Sequence, residues 1–120
     1  MKFVIGQRGS CKTIQMVHES AHTGYPIIVE NESGVRNIYE TCKRLGYKIP
    51  DDVPEPVLFC NAKQSKSVMQ SNGLLIDDAY NIINTIMTDY FGTRVCSVNL
   101  HDSKIEYHKV KTEVYDFIKE

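Results

Sequence analysis

Gly6, Gly9 and Ser10, followed closely by Lys12 and Thr13, put small residues, an ammonium and a hydroxyl into one short stretch. That combination suits phosphate. Small residues let backbone N–H groups close on an anion, a lysine neutralises it, and a threonine hydroxyl can hold the Mg²⁺ that accompanies it. The template for such a loop is Gly, four residues, Gly, Lys, then Ser or Thr. Gly6, Lys12 and Thr13 match it, Gln7, Arg8, Gly9 and Ser10 fill the loop, and Cys11 stands where the second glycine is expected. A Cβ there crowds a backbone that has to approach phosphate, an expected cost of about 1 kcal/mol in binding. A thiol beside a lysine at a helix start is also expected to be the oxidation-sensitive one of the chain's cysteines.

A second chemically loaded stretch is Leu74-Leu75-Ile76 running into Asp77-Asp78, and a third is Asn99 near the end of another apolar run. In open α/β sheets, ligands gather where the carboxyl ends of strands meet, so these three stretches can share one site. The division of labour is then specific. Lys12 neutralises the β- and γ-phosphates, and Thr13 and Asp77 hold Mg²⁺, an ion that takes few carboxylates and keeps several waters. Asp78 polarises an attacking water, and Asn99 positions that water or touches the γ-phosphate.

The elements needed to place these groups can be read in order. Phe3, Val4 and Ile5 predict a buried first strand, and Ile14, Val17, His18 and Ala21 predict a helix ending at Gly24. Pro26 to Glu30 reads as a second strand covered on both faces, followed by a helix over 34–45 with Val35, Ile38, Cys42 and Leu45 inward. Arg36, Glu40, Lys43 and Arg44 read as its outward face. Val57 to Cys60 is a third strand, 61–72 a polar loop or frayed helix, 73–78 the fourth strand and 79–90 a helix. A fifth strand is expected over 94–100, then an amphipathic helix bearing Val110, Val114, Phe117 and Ile118. Strands alternating with helices imply one domain over 1–120: a three-layer α/β/α fold with a mainly parallel, five-stranded sheet.

On these residues the chain resembles the P-loop NTPases, in the branch holding the AAA-type, RecA-like and helicase-core ATPases. Residues 6–13 resemble its Walker A motif, residues 74–78 its Walker B motif, and Asn99 its polar sensor position. Among such proteins it is similar to short ATP-binding proteins encoded in phages and prophages. The resemblance implies ATP and Mg²⁺ as ligands, with Asp77 on the metal and Asp78 activating water where the family usually has Glu. It also implies an arginine supplied in trans, by a protein partner or a second copy, and a cytoplasmic location in a bacterial or phage-infected cell. The other reading kept open is a non-catalytic interaction module built on the same scaffold.

Bulk properties set limits. Among 120 residues, 24% are charged and 42% apolar, which is ordinary for a globular chain. A net charge of -1 gives no electrostatic support for nucleic acid, and no apolar run reaches membrane-spanning length. The four cysteines form no C-x-x-C pair, and Cys60 and Cys96 lie in apolar runs, where thiols behave as small hydrophobes. His18-Glu19-Ser20-Ala21-His22 matches the His-Glu-x-x-His helix that binds zinc in peptidases. The segment Asn31-Glu32-Ser33-Gly34 resembles the thermolysin-type segment that supplies a third ligand, but the ligand position falls on Ile38, which cannot bind metal. His18 is expected to pack partly against the sheet, with Glu19 and His22 solvated.

Overall fold

The computed structural model describes residues 2–6, 12–97 and 104–108, with side chains described for 12–97. Its core forms around Ile27, Ile28 and Val29, which make up β2 (Ile27–Val29) and are all buried. A run of β-branched residues with no polar position has no face to offer water, so it has to be covered on both sides. Two short strands flank it in parallel, β3 (Val57–Leu58) and β4 (Leu75–Ile76), giving the order β3-β2-β4. The register sets Val29 beside Leu58 and Ile28 beside Ile76. The Asp77 N–H then donates to the Ile28 carbonyl at 3.0 Å, which carries the ladder on to the residue with the chemistry.

Two helices are fixed by their ends. The helix α1 (Lys12–Thr23) buries Val17 and Ser20, the latter donating its hydroxyl to the Tyr25 carbonyl at 2.7 Å. It stops at Gly24, whose φ of +78° a residue with a Cβ rarely adopts. The helix α2 (Glu32–Leu45) starts because Asn31 accepts the Gly34 N–H on its side-chain oxygen at 3.0 Å, and it ends at Gly46 in the left-handed conformation. Its inner face buries Ile38, Thr41 and Cys42. Gly34 is required for contact rather than for conformation: a Cβ there would lie 2.9 Å from the Val29 Cβ, so the first turn of α2 rests directly on β2.

Val17, Ile27, Val29, Ile38, Cys42, Val53 and Leu75 form one buried cluster that joins α1, α2 and the sheet. Ile38→Ala is expected to destabilise the fold by about 2–5 kcal/mol, read as a lowered urea midpoint with unchanged slope. Between β3 and β4 the polar stretch forms a 3₁₀ helix (Phe59–Gln64) and the single turn α3 (Lys66–Met69), capped by Ser65. The helix α4 (Ala79–Phe91) follows β4 and closes on Gly92.

The expectation of a single five-stranded sheet is not met. Among the described residues the strands divide into the three-stranded sheet and a separate parallel pair, β1 (Lys2–Gly6) with β5 (Lys104–His108). Residues 94–97 form no strand, and Cys96 is exposed there. The fifth strand lies ten residues later than the apolar run suggested, in Lys-Ile-Glu-Tyr-His. That stretch alternates polar with apolar residues, the pattern of a strand covered on one face only. Cys60 is also exposed, because β3 gives way after Leu58 to the 3₁₀ helix and its side chain leaves the sheet. Only Cys42 of the described cysteines is buried, and burial raises its thiol pKa.

Candidate functional site

The first turn of α1 and the chain just beyond β4 meet at one place. The Thr13 hydroxyl donates to a carboxylate oxygen of Asp77 at 3.4 Å, across 64 residues of sequence. The cause is topological. The helix α1 packs on β2 and leads back to its start, so α1 begins beside the carboxyl ends of β2 and its parallel neighbour β4.

The electrostatics of this corner are coupled. Burial lowers the pKa of the Lys12 ammonium, while the neighbouring charges of Asp77 and Asp78 pull it back up. Asp77 is shifted upward, chiefly by burial and then by Asp78; the Thr13 hydroxyl, the backbone at Asp78 and Lys12 oppose the shift. A partly buried carboxylate beside a second carboxylate is under pressure to take up a positive ion or a proton.

Asp78 is the only described non-glycine residue with a left-handed backbone, at φ 60° and ψ 47°. Aspartate tolerates that region better than most residues, and such conformations concentrate where function requires them. The bend turns the chain from β4 into α4. The Asp78 carboxylate accepts the side-chain amide of Asn81 at 2.7 Å.

These groups open onto a cleft of about 1030 Å³ that residues of α2 also line. Arg36, Asn37, Glu40 and Arg44 of α2 line it, as do Glu30 and Asn31. Arg36, Glu40 and Arg44, read from sequence as outward, therefore line the cleft, while Lys43 does not. Asn81 and these α2 residues are the parts that sequence reasoning missed. Asn81 had a usable signal, since a residue three positions after Asp78 on a first helical turn can reach back to it.

The other expected site residues divide simply. Gly6 ends β1. Gln7, Arg8, Gly9, Ser10, Cys11 and Asn99 lie outside the described residues.

Thr13 and Asp77 suit Mg²⁺ chemically, since both offer hard oxygen donors. Their oxygens are 3.4 Å apart. Neighbouring ligands of an octahedral ion with bonds of about 2.0–2.1 Å are separated by roughly 2.9 Å, so a small rotation, or one bridging water, brings both into reach. Among the described residues no group of three or more His, Cys, Asp and Glu side chains is placed to hold a metal unaided. Phosphate oxygens and water would complete the shell here, the usual arrangement for this ion.

The His-Glu-x-x-His helix is differently employed. His18 is exposed rather than packed on the sheet, and its Nδ1 lies 2.7 Å from the Tyr47 hydroxyl with the rings edge to face. His22 is exposed and Glu19 half-buried, and no third ligand joins the histidines among the described residues. After dialysis the protein is expected to hold well under one zinc per chain by atomic emission. A stoichiometric zinc lost on His18→Ala or His22→Ala would reverse that reading.

No protein-family model, curated protein or solved structure matches the chain. No helix among the described residues is long and apolar enough to cross a membrane.

Proposed function

We propose that this chain binds a nucleoside triphosphate together with Mg²⁺, ATP being the first candidate, and hydrolyses it slowly. One observation carries the reading: Lys12 and Thr13, at the start of α1, meet Asp77 and Asp78 at the end of β4. A lysine and a hydroxyl at a helix start accept phosphate and metal, and a carboxylate facing them from the end of β4 completes the metal's protein ligands. Asp78, oriented by Asn81, is the base that polarises water. Arg36 and Arg44, which line the same cleft, place cationic groups within the chain itself.

Mg²⁺ would screen the charge of the phosphate oxygens and hold them in line, while this chain's own groups bind, orient and take the proton. The test is displacement of a fluorescent ATP analogue from the wild-type protein by ATP, GTP and AMP, followed by a phosphate-release assay. Competition by ATP, weaker competition by GTP and none by AMP supports the reading. Failure of the analogue to bind at any Mg²⁺ concentration sinks it.

A further inference from the structure

The helix α4 turns an unusual amount of apolar surface to solvent. Tyr80, Ile83, Met87 and Tyr90 succeed one another at steps of three, four and three residues, and Ile86 and Phe91 lie beside them. All six are exposed, Tyr80 to 78% and Tyr90 to 80%, while Ile82 is the helix's one buried residue. Among the described residues no other element packs broadly along α4. Alternating three- and four-residue steps form the seam by which two helices pack, and an apolar patch of this size marks a contact.

The seam reads the same from either end. Turned end for end, α4 therefore matches itself: Tyr80 meets Tyr90 of a second copy and Ile83 meets its Met87, with a two-fold axis at the level of Thr85. Asp89 is the helix's single charge and lies off the seam, so no like charges face each other. The antiparallel sense also opposes the two helix dipoles and keeps the two Asp77–Asp78 pairs, one at the start of each α4, roughly 20 Å apart. A parallel pairing would gather those four carboxylates at one end. The area is also adequate. Aromatic side chains of about 150–250 Å² each, exposed as Tyr80, Tyr90 and Phe91 are, offer roughly 330–550 Å². The exposed parts of Ile83, Ile86 and Met87 bring the face towards the ~800 Å² per partner of a standard specific interface.

We propose that the chain forms a two-fold symmetric homodimer through an antiparallel contact between the two copies of α4, with Ile83 and Met87 at its centre and Tyr80 and Tyr90 at its ends. The contact is independent of nucleotide binding.

Sedimentation velocity of the full-length chain from about 1 to 100 µM is the test. The wild type is expected to run at twice the chain's 13.7 kDa over the upper part of that range. Ile83→Glu and Met87→Lys should each weaken the dimer at least a hundredfold, because each puts an unpaired charge into an apolar contact. Mixed in equal amounts, the two variants should dimerise again, since the antiparallel contact sets the introduced charges against each other. Thr85→Glu, at an exposed position on the side of the helix away from the seam, should leave the dimer unchanged. If either seam variant loses its helical circular dichroism, Tyr90→Ala decides instead, with an expected rise in Kd of about tenfold. A Tyr90→Ala dimer as tight as wild type overturns the proposal. So do folded seam variants that dimerise like wild type, or that stay monomeric when mixed. A monomeric wild type overturns it as well: bright fluorescence with a hydrophobic dye would then mark a face open to a foreign partner, and dim fluorescence a face covered within the chain.

Discussion

Lys12→Ala is expected to weaken Mg·ATP binding about 100-fold, or about 2.7 kcal/mol, with the fold intact. The ammonium sits between the start of α1 and the two carboxylates, and burial lowers its pKa against their pull. Its removal has two consequences. The phosphates lose their point charge, and Asp77 loses a cation that helps keep it ionised. Binding therefore falls steeply while stability changes little, since the residue is only partly buried. Equilibrium dialysis with labelled ATP, alongside a urea titration, separates the two effects. Wild-type ATP affinity in a correctly folded Lys12→Ala protein would favour the interaction-module alternative.

Asp77→Asn is expected to abolish the stimulation of nucleotide binding by Mg²⁺ and to alter the pH dependence. Burial and the neighbouring Asp78 raise the Asp77 pKa, so the folded state takes up its proton at higher pH than the unfolded chain does. The sign follows from linkage. Stability falls as pH rises from the unfolded value to the raised folded value, because the ionised group is held at a cost. Above both values the penalty is fully present. Asn at 77 removes it, so the variant is expected to be at least as stable as wild type at neutral pH while binding no metal. Metal binding has the opposite dependence, since a protonated carboxylate is no ligand. Wild-type Mg²⁺ affinity should therefore decline on acidification sooner than for an aspartate with an ordinary pKa. Thermal melts and Mg²⁺ titrations between pH 4 and 8 give both curves. An Asn variant that keeps its Mg²⁺ dependence would remove Asp77 from the metal site.

The helices were legible because their ends are chemical. Asn31 and Gly46 delimit α2, and Gly24 and Gly92 close α1 and α4, by backbone and side-chain rules that act within a few residues. The meeting of Thr13 with Asp77 was legible for another reason: a hydroxyl at a helix start and a carboxylate after an apolar strand are expected at the same end of a parallel sheet. The strands were harder. Two-residue ladders such as β3 and β4 leave too few positions for a period to show. The apolar residues at 94–100 outweighed the weaker alternation of 104–108, which is where the strand lies. The polar face of α2 looked like solvent because a side chain facing a wet cleft obeys the same pattern as one facing bulk water. The left-handed Asp78 gave no warning either, since Asp at a strand end reads first as a turn or helix-cap residue.

The account rests on Lys12, Thr13, Asp77 and Asp78 acting as one Mg·triphosphate site. Calorimetric titration of ATP into the wild-type chain, with Mg²⁺ and then with EDTA, tests it most directly. One site per chain that weakens at least tenfold when Mg²⁺ is withdrawn is the predicted result. No heat in either buffer, or binding indifferent to the metal, would contradict it.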